Sequence, residues 1–152
     1  STASPSLEQS IVTFVDGVYG GNNRQFQGAF LDVGQIEVLR GPQGALVGKN
    51  TVAGAINILT RRPTDEFSGY IDANYDFLLD GPTIEGALNV PLGGGFAMRF
   101  AGRYADLQGY VRNVTTNRDE PTQEEYIGRV TLGYDNGGPV TAFIKYEHSE
   151  SD

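Results

Sequence analysis

The chain has 152 residues, a formal net charge of −8 at pH 7, 21 glycines, one histidine and no cysteine. These counts exclude disulfides and thiolate metal sites, and the single histidine argues against a histidine metal centre or a Ser-His-Asp triad. The acidic chain also lacks the clustered lysine and arginine that nucleic-acid backbones require, so we expect no nucleic-acid partner.

Composition and charge indicate a β-rich chain in two parts. Eight tyrosines, eight phenylalanines and the many glycines favour strands and turns over helices. Residues 1–63 carry five basic and four acidic side chains, whereas residues 64–152 carry six basic and fifteen acidic ones. Because the sequence rhythm also changes at this point, we expect a domain boundary between residues 63 and 64.

The first part begins with short elements. A strand is predicted at residues 11–15, and the turn dipeptide Asp16-Gly17 separates it from residues 18–19. The apolar group at residues 29–33 is typical of one helical turn, which Gly34 would end.

A strand pair punctuated by glycine follows at residues 36–63. The apolar run 36–39 is broken at Arg40, and an extended pattern resumes at residues 54–60, with two isoleucines on one face and Asn57 on the other. Positive φ or close backbone approach is expected at Gly41, Gly44, Gly48 and Gly54. This element contains no catalytic motif.

In residues 64–152, apolar and polar side chains alternate with a period of two residues. Strict alternation predicts five strands, at residues 67–77, 84–92, 96–105, 125–134 and 140–147. The connections alternate between loops at 78–83 and 107–123 and tight turns at 92–95 and 135–138. One face of these strands is apolar, and the other carries Asp72, Glu85, Arg99, Arg103, Arg129 and Lys145.

Two architectures fit this alternation. Strands of about ten residues with aromatic ends, short turns at one end and long loops at the other describe the wall of a transmembrane β-barrel. Its polar face would line a watery lumen, and its apolar face would meet lipid. A soluble β-sandwich or meander alternates in the same way, and the pattern alone does not separate the two.

The glycine-punctuated pair carries a resemblance to a known family. Val15-Asp16-Gly17-Val18 and the run Ile36-Glu37-Val38-Leu39-Arg40-Gly41-Pro42-Gln43-Gly44, continued by Gly48, Asn50, Gly54-Ala55-Ile56-Asn57-Ile58 and Thr60, resemble the plug of TonB-dependent outer-membrane receptors. Two positions depart mildly from the family pattern. Val47 stands where tyrosine or phenylalanine is usual, and Ala53 stands where glycine is common.

The resemblance implies a mainly β chain. Residues 1–63 would be the C-terminal part of a plug, a small mixed sheet, and residues 64–152 about five antiparallel strands of a transmembrane β-barrel wall. Barrels of this family have about 22 strands. We therefore expect an internal fragment of such a receptor, with the segment that contacts the TonB complex lying upstream of residue 1.

The resemblance also implies a transporter and not an enzyme, with no cofactor, no metal and no catalytic residue. Its parent would take up a scarce small-molecule ligand (siderophore, cobalamin or carbohydrate) across the outer membrane of a Gram-negative bacterium, with energy relayed by TonB. The wall would contact outer-membrane lipid. The isolated fragment would oligomerise, because its apolar strips and open strand edges would be exposed.

Site residues follow from the same resemblance. Asn22, Asn23, Arg24 and Gln25 are candidate ligand-facing groups of a plug loop. Arg40 is interpreted as a latch that forms an ion pair with barrel glutamates, although an arginine at a strand end is also an ordinary exposed residue. The remaining motif positions are Gly41, Pro42, Gly44, Gly48 and Gly54. The arginines of the polar barrel face would attract an anionic substrate or simply be solvated in the lumen.

Two other function classes stay open. One is a soluble β-rich module that holds a ligand on its polar sheet face. The other is a hydrolase formed by an oligomerised fragment, for which no pairing of serine, aspartate or glutamate provides a catalytic constellation.

Overall fold

The computed structural model describes residues 11–19, 28–41, 54–108, 111–113, 118–120 and 123–151. The chain divides into two compact units, Ser1–Arg61 and Arg62–Asp152. No helix in the described ranges is long and apolar enough to cross a membrane.

The first unit contains a small mixed sheet, as predicted. Its elements in chain order are β1 (Ile11–Val15), β2 (Val18–Tyr19), a 3-10 helix (Gly28–Phe30), β3 (Val33–Arg40) and β4 (Gly54–Thr60). The strand order is β2-β1-β4-β3. Strand β1 runs parallel to β4, and the other two pairings are antiparallel.

Two turns of this unit depend on residues with positive φ. Asp16 (φ 50°) and Gly17 (φ 82°) form the predicted turn between β1 and β2, and these values are those of a type I′ hairpin turn. The predicted helical turn is present as the 3-10 helix, but Gly34 does not end it. Asp32 (φ 52°) reverses the chain instead, since aspartate tolerates the left-handed region, and Gly34 already belongs to β3.

The core of the first unit consists of aliphatic side chains on and beside β4. Among the described residues of this unit, Leu31 and Ile58 are the largest fully buried side chains, and Val12, Ala29 and Ala55 are the other buried apolar ones. Alanines at two of these five positions allow the 3-10 helix to pack closely on the sheet.

The second unit is the predicted antiparallel meander. Its five strands are β5 (Ser68–Asp76), β6 (Gly81–Gly93), β7 (Phe96–Leu107), β10 (Gln123–Asp135) and β11 (Thr141–Ser151). They are hydrogen-bonded in the order β11-β10-β7-β6-β5. The long polar loop holds a small hairpin, β8 (Val111–Asn113) with β9 (Arg118–Glu120), that the sequence pattern did not predict.

Burial in this sheet is the reverse of that in a soluble meander. On the central strands β6, β7 and β10, side chains of the apolar face are exposed, for example Leu88 at 42% and Tyr126 at 50%. Side chains of the polar face of the same strands are buried, for example Arg129 at 4% and Asn89 at 0% exposure, whereas the edge strands β5 and β11 are largely exposed on both faces. In water the apolar face would be covered, so this arrangement favours the barrel wall over the soluble sandwich.

The exposed face predicts a depth-dependent effect of charge. Phe100 lies in the middle of β7 on this face, and Phe77 lies just beyond the end of β5. We expect Phe100→Arg to lower the free energy of unfolding in lipid vesicles by about 2–4 kcal/mol, and the control Phe77→Arg by about 0–1 kcal/mol. Urea titration measures both values. Changes below about 0.5 kcal/mol at both sites would show that this face meets water.

Candidate functional site

Cross-strand register sets the composition of the polar sheet face. In the five strands, directly paired residues share a face, so each pairing continues as a row across the sheet. One row, nearer the tight turns, is Ser68, Asn89, Arg99, Thr131 and Lys145. The next row is Tyr70, Ala87, Ala101, Arg129 and Glu147. The following two rows, nearer the long loops, contain Asp72, Glu85, Arg103, Ile127 and Ser149, and then Asn74, Thr83, Ala105, Glu125 and Ser151.

The charges on this face are sorted along the strand direction. Of these four rows, the one on the tight-turn side carries two cations, Arg99 and Lys145, and no carboxylate. The two rows on the long-loop side carry three carboxylates and the single cation Arg103. Across these four rows the face therefore changes from basic on the tight-turn side to acidic on the long-loop side.

Two charged side chains on this face, Arg129 and Glu85, have partners on a neighbouring strand. Arg129 Nε donates to Glu147 Oε2 at 2.7 Å, and these residues are direct cross-strand partners. The Tyr70 hydroxyl donates to Glu85 Oε1 at 2.7 Å across β5 and β6. Arg103 Nε is buried and finds no acceptor among the described residues. A charge on this face thus depends on a neighbouring strand, because burial without a partner is costly.

In the first unit, Asp16 has a second role besides its turn. Its Oδ1 accepts from the Thr60 backbone N–H and its Oδ2 from the Thr60 hydroxyl, each at 2.8 Å. The Asp16 N–H donates to the carbonyl of Ile58 at 2.9 Å. This carboxylate therefore fastens the β1–β2 turn to the last residue of β4. Sequence reasoning missed the contact, because no local pattern relates residues 44 positions apart.

The face of β4 that carries Asn57, opposite to the face of Thr60, has a polar cluster. Asn57 Nδ2 donates to Glu37 Oε2 at 3.0 Å, and Gln35 Nε2 donates to Glu37 Oε1 at 3.0 Å. Asn57 Oδ1 is buried and has no partner within the described ranges. Asn57 therefore lies on the face of β4 opposite to that of Ile56 and Ile58, as predicted. On this face it is hydrogen-bonded to Glu37, its cross-strand partner on β3.

The predicted motif positions are only partly described. Arg40 ends β3 with an exposed side chain and pairs through its backbone with Gly54, and Gly41 follows with φ 94°. Pro42, Gly44 and Gly48 lie outside the described residues, as do the candidate ligand groups Asn22, Asn23, Arg24 and Gln25. The latch ion pair of Arg40 stays a prediction. Across the described ranges, no group of three or more metal-ligating side chains is placed to hold a metal ion.

Gly54 is required by both conformation and space. Its φ is 150°, and a Cβ at this position would lie 2.5 Å from the carbonyl oxygen of Leu39 on the neighbouring strand. No heavy atom lies within 4 Å of a Cβ placed on Gly41, so only its positive φ disfavours a side chain there. The two glycines of the motif are therefore different in kind.

The difference between these glycines is testable. We expect Gly54→Ala to cost about 2–4 kcal/mol of unfolding free energy, because strain and a backbone clash add together. Gly41→Ala is the matched control and should cost about 1–2 kcal/mol from the left-handed conformation alone. Denaturant titration of the two variants compares them. Equal costs would contradict the close approach of β3 and β4 at Gly54.

The buried ion pair predicts a coupled loss of stability. Glu147→Ala removes the acceptor of Arg129 Nε and should cost about 1–3 kcal/mol, below the value for a fully buried pair because Glu147 is 30% exposed. A double-mutant cycle with Arg129→Met should give a coupling energy of at least about 0.5 kcal/mol. Glu150→Ala, on the other face of the same strand, is the control and should change stability by less than about 0.5 kcal/mol. Additive single effects would show that the pair is not coupled.

Sequence comparison identifies receptors as relatives. No family model matches the chain. The pesticin receptor of Yersinia pestis is 36% identical over 96 residues, which cover 58% of this chain and 14% of the receptor. The ferric enterobactin receptor PirA of Pseudomonas aeruginosa is 50% identical over 38 residues, which cover 25% of this chain and 5% of that receptor. The chain thus spans a small part of the curated relatives it matches.

Solved structures match nearly the whole chain. The ferric yersiniabactin uptake receptor FyuA of Yersinia pestis superposes with a TM-score of 0.82 at 26% identity, over 93% of this chain and 23% of FyuA. The ferric-catecholate import receptor Fiu of E. coli has a TM-score of 0.75 at 19% identity, over 95% of this chain and 20% of Fiu, which shows the fold alone. These relatives are receptors and not enzymes, and the resemblance inferred from the motifs is confirmed.

Proposed function

We propose that this chain, a relative of the TonB-dependent outer-membrane receptors in sequence and fold, is the part of such a receptor in which plug passes into barrel. Residues 1–63 are the C-terminal part of the plug, and residues 64–152 are the first five strands of the wall. The parent takes up a scarce ligand across the outer membrane of a Gram-negative bacterium, with energy relayed by the TonB complex. The names of the relatives favour a ferric siderophore over cobalamin or a carbohydrate.

The inverted burial of the five-stranded sheet is the observation that carries this proposal. A soluble ligand-binding module would bury its aliphatic and aromatic side chains and expose its arginines and glutamates. On the central strands β6, β7 and β10, Arg99, Arg129 and Glu125 are buried, whereas the neighbouring Leu88, Phe100 and Tyr126 are exposed. A sheet with this distribution is stable where lipid covers one face and a polar interior lies behind the other.

Aromatic pairs at both ends of the apolar face support a membrane position. Phe96 and Tyr134 are cross-strand partners with ring centroids 4.8 Å apart, and Tyr104 and Tyr126 form a second such pair at 4.8 Å. The pairs are eight residues apart along β7, which corresponds to about 26 Å of extended strand. Strands of outer-membrane barrels tilt by about 35–45°, so the pairs would be about 18–21 Å apart along the membrane normal, within an apolar band about 25 Å tall that aromatic girdles border.

The sorted charges of the polar face suit passage of a charged ligand through a wet interior. Arg99, Arg103 and Arg129 supply cations on three successive rows of this face. An anionic siderophore complex would be attracted by the field of these cations in a lumen where the wall screens it from bulk water, with Arg129 itself paired to Glu147. In this proposal Asn22, Asn23, Arg24 and Gln25 form part of the plug surface that first contacts the ligand.

The exposed apolar face of the five-stranded sheet suits two further partners, lipid and other copies of the chain. In the membrane, outer-membrane lipid covers the side chains that include Ile71 and Ile144. Without the rest of the barrel, the same surface and the outer edges of β5 and β11 would associate with other copies of the chain. A monodisperse monomer of the isolated chain in detergent-free buffer would contradict this oligomerisation.

Arg40 provides the functional test. Its exposed guanidinium at the end of β3 suits an ion pair with a carboxylate outside its own sheet. In cells whose only siderophore receptor is the parent of this chain, we expect Arg40→Ala to lower ferric-siderophore uptake about tenfold, equivalent to about 1.4 kcal/mol. Ligand affinity should change less than about twofold, and Arg40→Lys should retain part of the uptake, since lysine keeps the charge but not the bidentate geometry.

The outcomes separate the latch from the transport function. If Arg40→Ala takes up the ferric siderophore at the wild-type rate, the interpretation of Arg40 as a latch is wrong, while the receptor assignment stands. Uptake that persists without TonB, or a parent protein absent from the outer-membrane fraction, would overturn the transport function itself.

A further inference from the structure

The segment that leads into β5 crosses the polar face of the sheet instead of approaching β5 directly. Residues 62–66 form this segment, called the strap below. The Arg62 guanidinium carbon lies 4.6 Å from the ring centroid of Phe143 on β11. Pro63 lies over β10, and the following residues are bonded to β6. The strap therefore contacts strands at both sides of the meander before the chain enters β5.

Asn89 on β6 holds the end of the strap. Its Oδ1 accepts from the Thr64 N–H at 3.0 Å, and its Nδ2 donates to the Thr64 carbonyl at 2.9 Å and to the Thr64 hydroxyl at 3.1 Å. Nδ2 also contacts the carbonyl of Glu66 at 2.5 Å. An amide side chain offers a donor and an acceptor side by side, so Asn89 pairs with the Thr64 backbone as a strand neighbour would. Because Asn89 is fully buried, water does not replace these bonds.

The missing side chain at Gly133 leaves room for Pro63 of the strap on the sheet. Phe143, Gly133, Ala97 and Pro91 form one row of the polar face, next to the row of Asn89. A Cβ on Gly133 would lie 3.3 Å from Pro63 Cβ and Cγ, closer than ordinary van der Waals contact. A side chain at residue 133 would therefore displace Pro63 by a few tenths of an ångström.

On the tight-turn side the strap borders open space. A cavity of about 810 Å³ is lined by Arg62, Pro63, Thr64 and Asp65 and by turn residues that include Gly93, Gly94, Gly95, Asp135, Asn136 and Gly137. The contacts that hold the strap therefore lie on its sheet side, and open space lies beside it on the other.

We propose that the strap isolates β5 from movement of the chain before Arg62, with Asn89 as the positioning residue. Strand β5 lies at the edge of the sheet and is bonded to β6. Tension applied directly to its first residue would break that ladder one bond at a time. The strap instead distributes the load over Arg62, Pro63 and Thr64 together, so all these contacts must fail before β5 is reached. The mechanical role rests on the proposed function, in which TonB pulls on the plug.

Hydrogen exchange of the full receptor in detergent tests the strap without reference to transport. Asn89→Ala should speed exchange of the amide of Thr64 at least about tenfold, since the opening free energy falls with the lost bonds. Asn89→Asp, which keeps the size and the acceptor but loses the donors, should give an intermediate rate. Asn74→Ala, an exposed position of β5, is the control and should leave this amide unchanged. Equal exchange in Asn89→Ala and the unmodified receptor would overturn the proposal.

If Asn89→Ala fails to fold, Arg62→Ala provides the second variant. It removes only the contact with Phe143 and leaves the hydrogen bonds of the sheet in place. Exchange of the backbone N–H groups of Arg62 and Thr64 should then rise about two- to threefold, in line with the modest free energy of a partly exposed cation–π contact. Pro63 has no backbone N–H and is not observed. An unchanged rate would exclude Arg62 as an anchor of the strap.

Pulling the plug of a membrane-embedded receptor from its N-terminal side tests the mechanical role. In the unmodified receptor, the chain released by the pulling force should extend only as far as Arg62. In Asn89→Ala it should increase by about 50 Å, the contour length of residues 62–76 at about 3.4 Å each. Release of β5 in the unmodified receptor at the same force as in Asn89→Ala would overturn the proposal. Ligand uptake that does not need TonB would contradict the proposed function. The hydrogen-exchange measurement would still show whether Asn89 holds the strap.

Discussion

Backbone hydrogen bonding between the five long strands is the constraint on which the rest of the second unit depends. Because side chains alternate between the two faces and paired residues share a face, an unbroken ladder aligns the side chains of all strands into rows. The pairing of β7 with β10 continues from Phe96–Tyr134 to Leu107–Gln123 without a register shift. A shift of one residue in a single strand would move its charged side chains to the lipid-facing side.

This alignment determines how the buried charges are compensated. Arg129 meets Glu147 only because β10 and β11 are in that register, and Glu85 lies beside Tyr70 for the same reason. The register of the backbone hydrogen bonds thus determines which polar side chains of this face lie close enough to pair. The separation of basic and acidic rows also follows, since each row collects one residue from each strand.

The chain is held on both sides of the point where the two units meet in sequence. Before it, Asp16 binds Thr60, and the Arg61 N–H donates to the carbonyl of Asp32 at 3.0 Å. After it, Asn89 binds Thr64 and Glu66. In each unit a buried or partly buried polar side chain holds backbone from a distant part of the sequence.

The sequence by itself determined the strands and their faces, because period-two alternation and positive-φ turn residues are local properties of the chain. The five-strand meander, the mixed sheet and the Asp16-Gly17 turn were predictable for that reason, and the motif from Ile36 to Thr60 pointed to the family. Local pattern did not distinguish a lipid-facing sheet from a soluble one, since both alternate. Only the tertiary structure decided which face is buried, and only it brought Asp16 to Thr60 and Asn89 to Thr64, because these contacts join residues that are distant in sequence and adjacent only after the sheets form.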